Sequence, residues 1–201
     1  MLMQRNLLGF FSFQKEKSFK QNFLITLTTI GISVILCTLG FEPNSVPPDG
    51  IATIWPGAIT QVIAGILFGA WGVIATVSAG VIVDIINVND LYIVFGFIIP
   101  AFIQSFIPAF YYRLLIKRYG WNDKIFRFTP FLIYGVIIPN VIGALIAAFL
   151  LSSHTNTSFY FAFARWTIAN IPIALVLGWP LFKIFGKVMA DEGCVVSGWW
   201  K

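Results

Sequence analysis

Charged side chains are scarce in this sequence. Asp, Glu, Lys and Arg make up 10% of its 201 residues, where a soluble domain carries about a quarter, so a water-facing surface of ordinary size cannot be built. Histidine occurs once and cysteine twice. His154, Cys37 and Cys194 are too few and too far apart in the chain for a zinc, bis-His haem or iron–sulfur constellation, and two thiols make no disulfide framework. There is no G-x-x-x-x-G-K-[ST] phosphate loop, no Glu-x-x-His di-metal motif, and no histidine within an apolar run to serve an intramembrane serine. Neither a cofactor nor an enzymatic activity is expected. The 21 Phe and 7 Trp further exclude a disordered or nucleic-acid-binding chain.

What remains is apolar: 58% of residues are hydrophobic and mean hydropathy is +0.86. A helix needs about 20 such residues to cross a hydrocarbon core of about 30 Å. Stretches of that kind fall at 22–40, 52–69, 71–87, 91–116, 128–151 and 159–187, and predict an all-α integral membrane protein with a six-helix bundle. The second and third are separated only by Gly69-Ala70-Trp71-Gly72, a tight reversal. The cations then set an orientation. Arg5, Lys15, Lys17 and Lys20 precede the first span, Arg113, Lys117, Arg118, Lys124 and Arg127 close the fourth, and Lys183, Lys187 and Lys201 follow the sixth. Six spans put all but one of the 13 cations on one side, which the positive-inside rule makes the cytoplasm. Both termini are thus expected inside a bacterial-type plasma membrane. The organisation read from this pattern is a cytoplasmic interfacial segment over 1–21, a transmembrane domain over 22–187 and a cytoplasmic tail over 188–201. Leu7, Leu8, Phe10, Phe11 and Phe13 among basic residues suit a short helix on the membrane surface or a frayed tail. A cleaved signal is not expected.

Polar groups inside the spans are costly, and they mark either a site or a structural pair. Arg165, the exceptional cation, lies roughly 9 Å below the outer boundary, and Asp84 roughly 10 Å below it. The two are read either as each other's partner or as ligand contacts. Gln61, Asn140 and Asn170 fall roughly 12–17 Å deep, with Gln104 deeper still. Four spans therefore contribute to a polar layer under outer loops that hold Glu42, Asp49, Asp90 and His154. The layer reads as a ligand pocket open to the outside, with Trp166 on the same helix face as Asn170 and Trp55 at the mouth. Asn140 follows Pro139 and Asn170 precedes Pro172 by two, so either amide is also a candidate to satisfy carbonyls released by a proline kink. Thr29, Ser33 and Cys37 recur every four residues on the first span and form a small-residue face, for internal packing or for a partner subunit.

The stretches GILFGAWGVIATVSAGVIVDII (65–86), FGFIIPAFIQSFIPAFYYRLLIKRYG (95–120) and NIPIALVLGWPLFK (170–183) resemble the substrate-binding S components of energy-coupling-factor vitamin transporters. That resemblance implies a small micronutrient held in the outer half of a six-helix bundle, and uptake energised by separate ATPases through a transmembrane coupling subunit. Arg165 would meet an anionic or carbonyl group, Asp84 would hold the Arg side chain or meet a ligand cation, and Trp166 would stack on a ring. S components often dock their partner through an Ala-x-x-x-Ala face on the first span, where this chain has Thr29, Ser33 and Cys37. The segment WPGAITQVIAGILFG (55–69) is also similar to the opening of MASE1-type membrane sensor domains. An accessory subunit of a larger membrane complex is the third reading.

Overall fold

The computed structural model describes residues 19–40, 52–88 and 90–200. The expected amphipathic segment up to residue 18, and the loop with Glu42 and Asp49, lie outside them. Among the described residues every regular element is a helix. In chain order these are α1 (Phe19–Thr38), α2 (Gly57–Phe68), α3 (Ala70–Asn87), α4 (Leu91–Tyr119), α5 (Phe128–His154) and α6 (Phe159–Asp191). All but α2 are long and apolar enough to cross a membrane, the make-up of a multi-pass membrane protein. Their outward faces carry bare Phe, Ile and Leu side chains such as Leu24, Ile35, Ile86, Phe95, Phe149 and Ile168, which suits contact with lipid.

The second helix departs most from expectation. It has 12 residues rather than the 18 anticipated over 52–69, because the chain stays non-helical up to Pro56, and at 1.5 Å per residue it is roughly 18 Å long. Ten of its residues are buried, so α2 is a central strut packed against α3, α4 and α6. Its approach to α4 is close. A Cβ on Gly65 would stand 2.5 Å from the Ser105 carbonyl oxygen, and the Ser105 hydroxyl donates to the Gln61 carbonyl at 3.0 Å while the Thr76 hydroxyl lies 3.0 Å from Ser105 Oγ. Small residues on α2, α3 and α4 thus form the seam that small residues form in membrane bundles generally.

Helices α5 and α6 contain wide π turns at Phe131–Ile137, Ala174–Gly178 and Phe182–Gly186. Prolines flank them (Pro130, Pro139, Pro172 and Pro180), and each removes a backbone donor that a regular α-helix would use.

Helix α1 is peripheral and packs mainly on α3. Its buried positions are Asn22, Thr26, Thr29, Ser33 and Cys37. This corrects the reading of Thr29, Ser33 and Cys37 as a docking face: they are 9%, 0% and 3% exposed, turned inward with the rest of their four-residue stripe. The face of α1 that points outward is Phe23, Leu24, Leu27, Ile32 and Ile35.

At the end where α2 turns into α3, the chain beyond α6 folds back over the turn. Gly69 takes φ +59°, a conformation that glycine adopts without strain. Two backbone bonds pin the turn to the tail: Val196 N–H to the Leu67 carbonyl and Ala70 N–H to the Trp199 carbonyl, both 2.9 Å. Arg113 of α4 is fully buried there and donates to the carbonyls of Ile66 and Val196, with the Gly65 carbonyl at 3.4 Å. Trp200 closes the end, its carbonyl accepting from Trp71 Nε1 at 3.2 Å and from Asn22 Nδ2 at 3.3 Å. Arg113 is expected among the cytoplasmic cations that close the fourth span. It is instead drawn inward because the last turn of α2 ends inside the protein with carbonyls that need donors.

Candidate functional site

A cleft opens at the opposite end of α2. It is lined by Ala52, Trp55, Gln61, Gly80, Asp84, Phe97, Ala101, Gln104, Trp166, Ala169 and Asn170, and its free space is about 450 Å³ counting the open mouth. Every helix except α1 and α5 supplies part of the wall. The non-helical run before α2 supplies the rest, held to α6 by Trp55 N–H donating to the Ala169 carbonyl at 2.9 Å.

The wall is made of side chains with little reason to sit together unless something polar joins them. Gln61 is 3% exposed, Gln104 1%, Asn170 2%, Asp84 8% and Trp166 9%. Gln61 Oε1, Gln104 Oε1, Asn170 Oδ1 and Trp166 Nε1 are buried with no hydrogen-bond partner among the described residues. Buried polar atoms are nearly always paired, so four orphans in one cleft are an anomaly that calls for an occupant or water. Gly80 adds room: a Cβ built there meets nothing within 4 Å. Aromatic rings shape the sides. Phe97 meets Trp166 edge to face at 5.1 Å and 74°, and Trp55 stands at the mouth.

Asn140 is one step behind this wall. Its Oδ1 accepts from Gln104 Nε2 at 2.9 Å and its Nδ2 donates to the Val136 carbonyl at 2.8 Å, so it orients Gln104 and serves a backbone carbonyl one turn back. Gly143 leaves the space that Gln104 occupies, since a Cβ there would come within 3.1 Å of that side chain.

Arg165 is not part of the cleft. Its guanidinium lies over the Phe161 ring at 5.8 Å, and no ion pair joins it to Asp84 among the described residues. The reason is helical phase. Trp166, Ala169 and Asn170 follow at i, i+3 and i+4 and form the inward face, whereas Arg165 shares its stripe with Phe161 and Ile168, which are 56% and 67% exposed. Equal depth put Arg165 and Asp84 at one level without putting them on facing surfaces. Gln104, read as lying deeper than the other amides, also lines the cleft.

Near the mouth end, Asp90 caps α4 by accepting from the Tyr92 N–H at 2.8 Å, and His154 Nε2 lies 2.8 Å from Asp90 Oδ2. Tyr92 stacks on the His154 ring at 4.1 Å. This cluster ties α4 to the end of α5 and lies outside the cleft wall.

Comparison with protein-family models, with curated proteins and with solved structures returns no match. The class of protein is therefore carried by its own geometry: a multi-pass helical bundle with a polar cleft built among apolar helices.

Proposed function

We propose that the chain is a membrane-embedded binding subunit for a small polar molecule, of the kind that delivers a micronutrient for uptake powered by ATPases on other chains. The observation that carries this reading is the group of buried polar atoms left without partners around one cleft. Leaving each of them unsatisfied would cost about 1–3 kcal/mol, so water or a ligand fills the opening in the folded protein. The cation pattern supports an orientation with both termini in the cytoplasm, so that the cleft opens to the outside of the plasma membrane. In this reading Asp84, Gln61, Gln104, Asn170 and Trp166 contact the ligand, Trp55 flanks its entry, and Asn140 positions Gln104. A coupling partner would meet a surface other than Thr29, Ser33 and Cys37.

Native mass spectrometry of the full chain, purified in mild detergent, tests this together with Gly80→Leu. The leucine fills open space in the cleft and raises helix propensity, so it should abolish retention of a bound small molecule while the protein stays folded. Retention equal to wild type in Gly80→Leu would sink the assignment. A second reading, a membrane sensor, draws on Trp55 and Pro56: the segment that resembles a sensor opening is the one that places Trp55 against the cleft. It keeps the same binding event and differs in its consequence, so copurification of ATPase subunits distinguishes the two.

A further inference from the structure

Building on that binding function and on the same cleft, we infer that the ligand enters with a cationic group rich in N–H donors, such as an amidinium, a primary ammonium or a protonated amino-heterocycle, directed at Asp84.

The hydrogen-bond network fixes how the Gln104 and Asn170 amides are turned. A backbone carbonyl only accepts, so the Val136 carbonyl requires the Asn140 amide nitrogen. That leaves Asn140 Oδ1 facing Gln104, which must present Nε2 to it, and Gln104 Oε1 is then the atom without a partner. The same logic applies on α6. Asn170 Nδ2 is committed to the Trp166 carbonyl at 2.7 Å, so Oδ1 is its unpartnered atom. Exchanging oxygen and nitrogen in either amide would set two donors or two acceptors against each other. With Gln61 Oε1 and the Asp84 carboxylate, four residues of the wall carry an acceptor without a partner; Trp166 Nε1 is an unpartnered donor, and the amide nitrogens of Gln61, Gln104 and Asn170 keep further N–H groups.

That inventory discriminates between ligand classes. The amides can serve donors or acceptors, so Asp84 decides: an anion would set its charge against that carboxylate. An apolar molecule would leave all of them desolvated and unpaired. A cation with several N–H groups satisfies them, and it supplies the countercharge that an intramembrane carboxylate needs. Among the described residues no ion pair reaches Asp84. The rings of Trp55, Phe97 and Trp166 beside the acceptors favour an organic cation over a hydrated metal ion.

The test is calorimetric titration of the purified full chain, in uncharged detergent, with three probes of one shape: benzamidinium, benzamide and benzoate. Benzamidinium should bind at least about tenfold more tightly than benzoate, and Asp84→Asn should shrink that preference to less than about threefold. Equal or tighter binding of benzoate, benzamide matching benzamidinium, or a preference unchanged in Asp84→Asn would each overturn the inference. Should Asp84→Asn fail to give a monodisperse protein, Gln61→Met takes its place: loss of one acceptor should weaken benzamidinium at least about threefold, and no change would count against the cation. If none of the probes binds, the molecule released from the wild-type protein on denaturation decides. A cationic, N–H-bearing compound supports the inference. An anionic or apolar one overturns the ligand class and leaves the binding function standing. No bound molecule and no probe binding removes both.

Discussion

Arg113→Met is the substitution whose cost can be worked out most directly. The guanidinium of Arg113 is fully buried and donates to the carbonyls of Ile66, in the last turn of α2, and Val196, in the returning tail. Hydrogen bonds from a charged donor contribute about 1.5–3 kcal/mol each, so losing both removes about 3–6 kcal/mol. Methionine returns some of this, because burial of a cation is itself expensive and an apolar side chain of similar length avoids it. A net loss of about 2–4 kcal/mol is expected, or a fall in the unfolding midpoint on the order of 10 °C for a chain of this size. Thermal unfolding in detergent, followed by tryptophan emission, reads it well because Trp199 is buried beside the turn. Arg118→Ala is the control: Arg118 is exposed at the end of the same helix, where its guanidinium lies over the Tyr119 ring at 5.2 Å, and a surface substitution should cost no more than about 0.5 kcal/mol. If Arg113→Met unfolds at the wild-type midpoint, or no lower than Arg118→Ala, the clamp on α2 is not what holds the tail.

Further outcomes follow from single contacts. Gly65→Ala places its Cβ 2.5 Å from the Ser105 carbonyl oxygen, whereas a Cβ on Gly31 of α1 meets nothing; the first should lower yield and melting midpoint by an amount equivalent to about 1–3 kcal/mol, and the second should leave both unchanged or raised. In the folded protein a maleimide should label one cysteine per chain, since Cys194 is exposed and Cys37 buried, and labelling should reach both only after denaturation. At Asp90, desolvation pushes the carboxyl up, but hydrogen bonds from His154 and the Tyr92 N–H outweigh it and hold the carboxyl below its ordinary value. A lowered carboxylate stabilises the fold above its unfolded value of about 3.9 and loses that contribution as pH falls through the folded one. The melting midpoint of wild type should therefore exceed that of Asp90→Asn at neutral pH, and the two should converge once the pH falls below about 3.9; a gap that persists in strong acid would refute the pairing.

The helices were legible because hydrocarbon thickness is a coarse ruler. Runs of 17 or more mostly apolar residues announce α1, α3, α4, α5 and α6 with ends misplaced by a few residues at most sites. The ruler misjudged α2, since hydropathy does not register that a helix begins only after Pro56, and it counted Ala52 to Trp55 as part of the span. The cleft was legible in outline for a related reason: an amide or carboxylate in an apolar run is conspicuous whatever its neighbours, so Gln61, Asp84, Asn170 and Trp166 could be picked out. Depth, however, is a one-dimensional coordinate. Arg165 matches Asp84 in height and misses it in azimuth, and the signal that separates them is the i, i+3, i+4 phase joining Trp166, Ala169 and Asn170 while leaving Arg165 with the exposed Phe161 and Ile168. Arg113 shows the opposite failure. Nothing in a string of cations closing a span distinguishes the one that turns inward, because its partners are backbone carbonyls of Ile66 and Val196, groups that every residue carries.

The short central helix links these observations. A backbone segment that ends at membrane depth is tolerated only where protein groups take over its unpaired donors and acceptors, and α2 meets that condition at both ends by different means. At the tail end its carbonyls receive Arg113 and the Val196 N–H. At the cleft end the non-helical run before it is tied to the Ala169 carbonyl through Trp55, and the first turns present Gln61 to the opening. A helix long enough to span would have filled the cleft with its own continuation. By stopping short and being buried on nearly every side, α2 leaves a polar opening walled by α3, α4 and α6, and the buried cation at its far end is what makes that truncation stable.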